Sequence, residues 1–181
     1  MSDTAYVIRL ATADDVPGLP SVERQAVGLF EGWFEETGLT RAMLDDVSTV
    51  EELAAAQRLG HLWVGAPSDG EVAGFAQVVI LDGTAHLDEV DVVPDHGRNG
   101  LGSRLVEAIC AWATSAGYPS VTLSTFRHVP WNQPFYERRG FRVVDADALG
   151  PDHRKMVATE RARGLRTDLR TVMVRRLTQD S

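Results

Sequence analysis

Short alternating stretches and longer amphipathic stretches take turns along this chain. Tyr6-Val7-Ile8-Arg9-Leu10 alternates and predicts a first strand. Thr12 followed by Asp14-Asp15-Val16-Pro17 predicts a helix start, capped at Thr12 or Ala13, with uneven helical character to about Phe34. Thr40 to Asp46 and Thr49 to Leu59 read as further short helices. The second has Thr49 as cap, Glu51-Glu52 in the first turn and Gly60 as stop. His61 to Ala66 is a strand, Pro67-Ser68-Asp69-Gly70 a turn, and Glu71 to Leu81 a second strand of the same hairpin. After Asp82-Gly83, Ala85 to Val93 returns antiparallel, which completes a meander.

From about Gly100 to Ser115 the period changes to that of a helix. Leu101, Leu105, Ala108, Ile109, Trp112 and Ala116 face a core, and Gly117 ends the helix. Ser120 to Ser124 is the next strand. Strand, helix, strand makes it a parallel neighbour of the strand before the helix. Asn132 to Gly140 is a short helix with Asn132 placed to cap it, Pro134 in its first turn and Gly140 at its end. Phe141 to Val144 is a strand, Asp152 to Arg163 a helix and Leu169 to Leu177 a last strand. No repeat or linker separates domains, so residues 1–181 are expected to form a single domain of the α/β class. The expected sheet is mixed, mainly antiparallel and about seven-stranded, with helices on both faces.

Composition narrows the function little. Hydrophobic residues at 44% and charged residues at 24% are ordinary for a globular protein. No apolar run approaches the ~18 residues of a membrane span. The first residues, Met-Ser-Asp-Thr-Ala, lack the pattern of a signal peptide, so a cytoplasmic protein is expected. The one cysteine, Cys110, falls at an apolar helical position and reads as a packed thiol rather than a nucleophile. Net charge is −8 but unevenly spread: residues 1–137 balance to −13 and residues 138–181 to +5. The acidic part reads either as a solvated surface or as an attractor for a cationic partner, and it argues against nucleic acid. The basic last segment reads as a solvated face or as a homodimer contact.

Chemistry concentrates where Val90-Asp91-Val92-Val93-Pro94 runs through Asp95-His96-Gly97-Arg98-Asn99-Gly100 into Leu101-Gly102-Ser103. A strand delivers a helix N-terminus through a glycine-rich loop, which suits an anion and suggests a phosphorylated cofactor. The loop lacks the Lys-Ser/Thr ending of a nucleotide-triphosphate loop. A dinucleotide fold would not place an antiparallel meander before it. No metal-ligand cluster accompanies the loop, and no metal is expected.

Meander, glycine loop, helix, parallel strand and a short helix ending Phe135-Tyr136-Glu137-Arg138-Arg139-Gly140-Phe141 together resemble the GNAT superfamily of acyl-CoA-dependent N-acyltransferases. The resemblance covers roughly residues 6–177, and its two carrying segments lie about 34 residues apart. It implies a sheet splayed between the strand ending at Val92-Val93 and the strand Val121 to Ser124, with the pantetheine arm of acetyl-CoA in the gap on the backbone of Val92 and Val93. It implies that Gly97, Arg98, Asn99, Gly100, Leu101, Gly102 and Ser103 hold the pyrophosphate. The family places Gln or Arg where Gly97 stands, so Arg98, one place later, would carry the phosphate charge.

Tyr136 matches the family's general acid for the departing thiolate, with a tyrosine packed against Phe135 and Phe141 as the alternative. Asn132 reads as a cap or as a cofactor ligand. Glu89 and Asp91 alternate onto one face of their strand, with His86 and Asp88 on the other unless a bulge intervenes. Glu89 is the leading base toward the acceptor amine, with Asp91 beside it, and an ordinary exposed acid is the alternative. A backbone N–H near Val92 would serve as the oxyanion donor. Phe30, Trp33 and Phe34 interleave with Glu31, Glu35 and Glu36, as an acceptor-site wall or as an amphipathic helix. The expected reaction is direct acetyl transfer from acetyl-CoA to a primary amine of a small molecule or peptide. A non-catalytic acyl-CoA sensor and a domain that keeps only the fold are the rival readings.

Overall fold

The computed structural model describes residues 5–68 and 70–178. The expectation for residues 1–4 and the Asp69 position of the first hairpin turn lie outside these described residues. Seven strands form one mixed sheet: β1 (Tyr6–Leu10), β2 (Leu62–Pro67), β3 (Gly74–Leu81), β4 (Thr84–Val92), β5 (Ser120–Phe126), β6 (Arg142–Val143) and β7 (Arg170–Arg176), in the spatial order β1-β2-β3-β4-β5-β7-β6. The α-helices are α1 (Leu19–Val27), α2 (Phe34–Thr37), α3 (Arg41–Asp45), α4 (Val50–Arg58), α5 (Leu101–Ser115), α6 (Gln133–Glu137) and α7 (Pro151–Ala162).

The chain divides into two compact units. The first holds Met1–Leu29, Arg41–Val78 and Asp88–Ala111; the second holds Phe30–Thr40, Val79–Leu87 and Trp112–Ser181. In the first, β1 pairs antiparallel with β2 and β2 with β3, in the register Arg9↔Val64 and Val64↔Phe75. Its core joins Ala11, Val16, Leu19 and Val22 to Leu53, Ala56, Leu62, Val64 and Phe75, so α1 and α4 cover one face of these strands. In α1, Leu19, Val22, Glu23 and Ala26 are buried, which is one stripe at helical spacing. The capping box of α4 is complete: Thr49 Oγ1 accepts from Glu52 N, and Glu52 Oε2 accepts from Thr49 N.

The helix expected from Thr12 does not start there. A 3₁₀ turn at Val16–Gly18 precedes α1, because Pro17 and Pro20 lack the N–H that would continue an earlier helix. Thr12 does not act as the cap. Its N–H and hydroxyl instead donate to Asp15, which also takes a two-pronged bond from Arg9. Helicity breaks again at Gly28 to Phe30, a 3₁₀ turn, so Phe30, Trp33 and Phe34 do not share one continuous helix.

In the second unit β4 runs parallel to β5 over Ala85↔Val121, His86↔Thr122 and Leu87↔Leu123. β5 and β6 each pair antiparallel with β7. Asp82, in the β3–β4 turn, and Asp152, at the start of α7, bind each other's main-chain N–H groups at 2.9–3.0 Å. Behind them His153 Nδ1 lies 2.6 Å from Asp82, His153 Nε2 lies 2.9 Å from Thr122 Oγ1, and His86 Nδ1 lies 2.9 Å from the same hydroxyl. This buried relay fixes α7 on the sheet. Burial, with the nearby His153 and Arg170 charges, pulls the His86 pKa down to about 3, so the ring stays neutral.

Candidate active site

The glycine loop is shaped by local backbone chemistry. Pro94 opens a 3₁₀ turn, closed by Gly97 N–H donating to Pro94 O at 2.9 Å. A Cβ on Gly97 would stand 3.0 Å from that same carbonyl, so a side chain here would crowd the turn. Arg98 has φ 61° and Gly100 φ 81°, both left-handed. Glycine adopts that region freely, while for Arg98 it costs about 1–2 kcal/mol. Two left-handed residues turn the chain so that it enters α5 at Leu101, and Gly100 O accepts from Arg104 N–H. The first-turn amides of a helix have no carbonyl one turn earlier to bind. The first turn of α5 places the positive end of its dipole beside the exposed Arg98.

Strand glycines seat this helix end. Leu101 is 1% exposed. Cβ atoms built on Gly65 of β2 and Gly74 of β3 would lie 2.4 Å and 3.3 Å from its side chain. Anything larger than glycine at residue 65 would force the side chains of buried Leu101 and half-buried Ile8 to move. The hydroxyl of Tyr6 on β1 bonds His96 Nδ1 at 3.0 Å and ties down the 3₁₀ turn just before the loop. Val93 N–H donates to Ala73 O at 2.9 Å, so this amide is committed to β3. On the other side of β4, the pairing with β5 covers three residue pairs, while β4 runs on to Val92. The helical face is broader than expected. Leu105, Ile109 and also Val106, Cys110 and Ala113 are buried, whereas Ala116, expected in the core, is exposed at the helix end.

A second feature of the first unit lies on β4. Glu89 and Asp91 project to the same side and meet Glu23 of α1; one carboxylate oxygen from each falls within 4.8 Å of the others. Glu23 also accepts from Ser48 N–H at 2.9 Å. Burial is the main force on Glu89 and pushes its pKa up; the Asp91 charge and hydrogen bond, then Glu23, add to it. Burial likewise raises Asp91, against a lowering hydrogen bond from Glu89, with the Glu23 charge raising it again. Glu89 and Asp91, half-buried side by side, therefore resist being ionised together. His86, on the neighbouring stretch of β4, is buried in the relay described above, and Asp88 is exposed.

Glu23 is the residue that the sequence reading missed. Its signal was an acid on the buried stripe of α1, between Val22 and Ala26, where apolar residues are the rule.

In the second unit, Tyr136 is half-buried in α6, edge-on to Phe135 at 5.0 Å and Phe141 at 5.8 Å between ring centres. The Arg139 guanidinium stacks 3.5 Å over Phe135 and donates to its carbonyl at 2.6 Å. Asn132 occupies the N-cap position of α6, but its side chain makes no capping bond; its carbonyl accepts from Phe135 and Tyr136 N–H. The proline-induced turn, rather than a side-chain cap, starts this helix. Trp33 meets Trp131 edge-on at 4.8 Å, and Phe30 lies between Trp131 and Phe126.

Comparison with known proteins bears on what these features are for. The profile of the acetyltransferase (GNAT) family matches residues 25–141, well over half of the chain. N-acetylglutamate synthase from Neisseria gonorrhoeae, solved with coenzyme A and N-acetyl-glutamate, superposes with a TM-score of 0.71 at 22% identity over 96% of this chain. The present chain spans only 35% of that protein's length. PaiA N-acetyltransferase from Thermoplasma acidophilum, in complex with coenzyme A, gives 0.71 at 16% identity, covering 95% of this chain and 99% of its own. The ribosomal-protein-S18-alanine N-acetyltransferase of Escherichia coli gives 0.64 at 17% identity, covering 98% and 97%. At these identities the solved structures establish the fold, the acyl-CoA N-acyltransferase fold with its open seven-stranded mixed sheet. With the profile match laid over the glycine loop, β4 and α6, the chain belongs to the GNAT family of acetyltransferases.

Proposed function

We propose that this protein moves an acetyl group from acetyl-CoA to a primary amine of a small molecule or peptide by direct attack. The observation that carries the reading is the loop from Gly97 to Ser103. Left-handed Arg98 and Gly100 bring a helix N-terminus, with its positive dipole end, to the end of a strand. The residues fit a diphosphate: a Cβ at Gly97 would crowd the turn, and Arg98 adds a cation beside the amides. Gly97, Arg98, Asn99, Gly100, Leu101, Gly102 and Ser103 would hold the diphosphate, with Val92 and Val93 beside the pantetheine arm. Neighbours of the same fold solved with coenzyme A support this assignment. When bound, acetyl-CoA supplies a thioester-activated acetyl group.

The protein's residues handle protons. A free alkyl ammonium has a pKa near 10 and must lose a proton before its nitrogen can attack. Glu89 and Asp91, acting as one coupled pair, accept that proton at a carboxylate oxygen. Tyr136 gives its Oη proton to the departing sulfur, a role that rests on its family position. No covalent enzyme intermediate is needed. Asn132 is assigned as a further contact to the cofactor, since its side chain is not spent on capping α6. The protein's place of work is proposed to be the cytoplasm.

Thiol release from acetyl-CoA, measured against a panel of amino acids, aminoglycosides, polyamines and peptides, tests the reading. Turnover with at least one amine, lowered about 10²–10⁴-fold in Glu89→Gln and Tyr136→Phe with CoA binding retained, is expected. CoA binding without turnover toward any amine would favour the sensor reading instead.

A further inference from the structure

Helix α7 is tied to the sheet at two points and leaves a gap between them. Near its start His153 reaches Thr122 of β5 at 2.9 Å. Two turns later Glu160 takes Arg170 of β7 on both carboxylate oxygens, at 3.0 and 3.2 Å. His153, Val157 and Glu160 follow helical spacing and share this inward side. Opposite them Ser124 and Val172, both small, face each other in the β5–β7 register. The gap is a cavity of about 110 Å³, walled by Val144, Leu149, Val157 and Val172. A cavity of roughly 150 Å³ holds benzene, so this one has room for an apolar body of about four carbons. All of its lining belongs to the second unit.

The polar groups around the gap have donors to spare. Arg170 is engaged: besides Glu160, whose charge cancels its own, it donates to Ser124 Oγ at 3.1 Å. Ser124 accepts that bond and keeps its own O–H to give. Thr167 Oγ1 accepts twice from Arg161, at 3.1 and 3.2 Å, and keeps its O–H in the same way. Arg127 donates its Nε–H to the carbonyl of Arg170 at 2.8 Å, which fixes the guanidinium at the rim of the cavity. Arg127 is exposed, and its Nη groups meet no acceptor among the described residues. With Arg170 and Glu160 paired, the lining keeps one uncompensated positive charge, on Arg127.

We propose that this cavity binds a small branched aliphatic carboxylate, with its apolar end against Val144, Leu149, Val157 and Val172 and its carboxylate on the Arg127 guanidinium. A carboxylate only accepts hydrogen bonds, which suits a rim of free N–H and O–H groups, and its single charge matches the one left on Arg127. An ammonium of the same shape would set a cation against Arg127 and bring donors where donors already stand. An alcohol of the same shape fills the apolar part but leaves the charge unanswered. Binding is non-covalent, and the proposal goes beyond the acetyltransfer reading without resting on it.

Backbone-amide NMR titrations of the full chain with sodium 3-methylbutanoate, 3-methylbutylammonium chloride and 3-methyl-1-butanol test this. Saturable shifts from 3-methylbutanoate are expected, centred on Ser124, Arg127, Val157 and Val172, with the ammonium not saturating and the alcohol at least tenfold weaker. Arg127→Gln removes the rim charge and should weaken 3-methylbutanoate about tenfold or more. Val157→Phe fills the gap without touching a charge and should abolish the shifts. Arg127 is exposed, so its variant keeps the test decisive even where Val157→Phe does not fold. No saturable shift from 3-methylbutanoate, shifts centred elsewhere in the chain, equal binding of the ammonium, or an affinity unchanged in Arg127→Gln would overturn the proposal.

Discussion

At the scale of single residues, Glu89 carries two opposed consequences. Its raised pKa means that the folded state holds a proton which the unfolded chain would release. Stability is therefore present at low pH and is lost as pH rises through the folded-state value. Glu89→Gln removes the charge that the fold resists. The variant should melt at a higher temperature than the parent at pH 8, by about 2–4 °C per kcal/mol relieved, while losing turnover; scanning calorimetry beside the thiol assay checks both. Glu23→Gln removes a negative charge beside the pair, which eases its ionisation. The acidic limb of kcat/KM, measured with one acceptor, should move to lower pH. An unmoved limb would detach Glu23 from proton transfer.

At the scale of elements, the helix that presents the loop depends on small residues in strands. Gly65→Ala should drive a methyl into Leu101 and Ile8, costing about 1–3 kcal/mol of stability and weakening CoA binding. Denaturant melts and a CoA titration read the two effects separately. The relay joining Asp82, His153, Thr122 and His86 behaves oppositely to the acidic trio. His86 is depressed to about 3 from 6.5, so the unfolded chain takes the proton more readily. Stability is complete above about pH 6.5 and falls as pH drops toward 3, a slope that His86→Asn should flatten.

Periodicity made most of these elements legible. The meander, α4 with its capping box, and α5 with its glycine stop follow from local chemistry, and they stand where sequence predicts them. The uneven helical character predicted from Thr12 to about Phe34 overlooks real breaks: apolar spacing continues through Pro17, Pro20 and Gly28, while the helical backbone does not. Glu23 was not legible as a partner of Glu89. Its contact is between α1 and β4, sixty-six positions apart, and no local pattern encodes that meeting.

At the scale of the molecule, the family assignment predicts that ligand binding and folding are linked. Acetyl-CoA at 100 times its dissociation constant should stabilise the protein by about 2.7 kcal/mol, read as a rise in melting temperature. No described helix is long and apolar enough to cross a membrane. The basic segment from Arg161 to Arg176 is partly spent internally: Arg170 binds Glu160 and Ser124, Arg166 binds Asp168, and Arg161 binds Thr167. That spending argues against reading the segment as a free cationic face. The most direct test of the account is a backbone-amide NMR titration with CoA, set against pantetheine, which lacks the diphosphate. CoA should shift the amides of Gly97 to Ser103 strongly and pantetheine should leave them nearly still. Equal shifts from both ligands, or shifts confined to other parts of the chain, would contradict a diphosphate held on the end of α5.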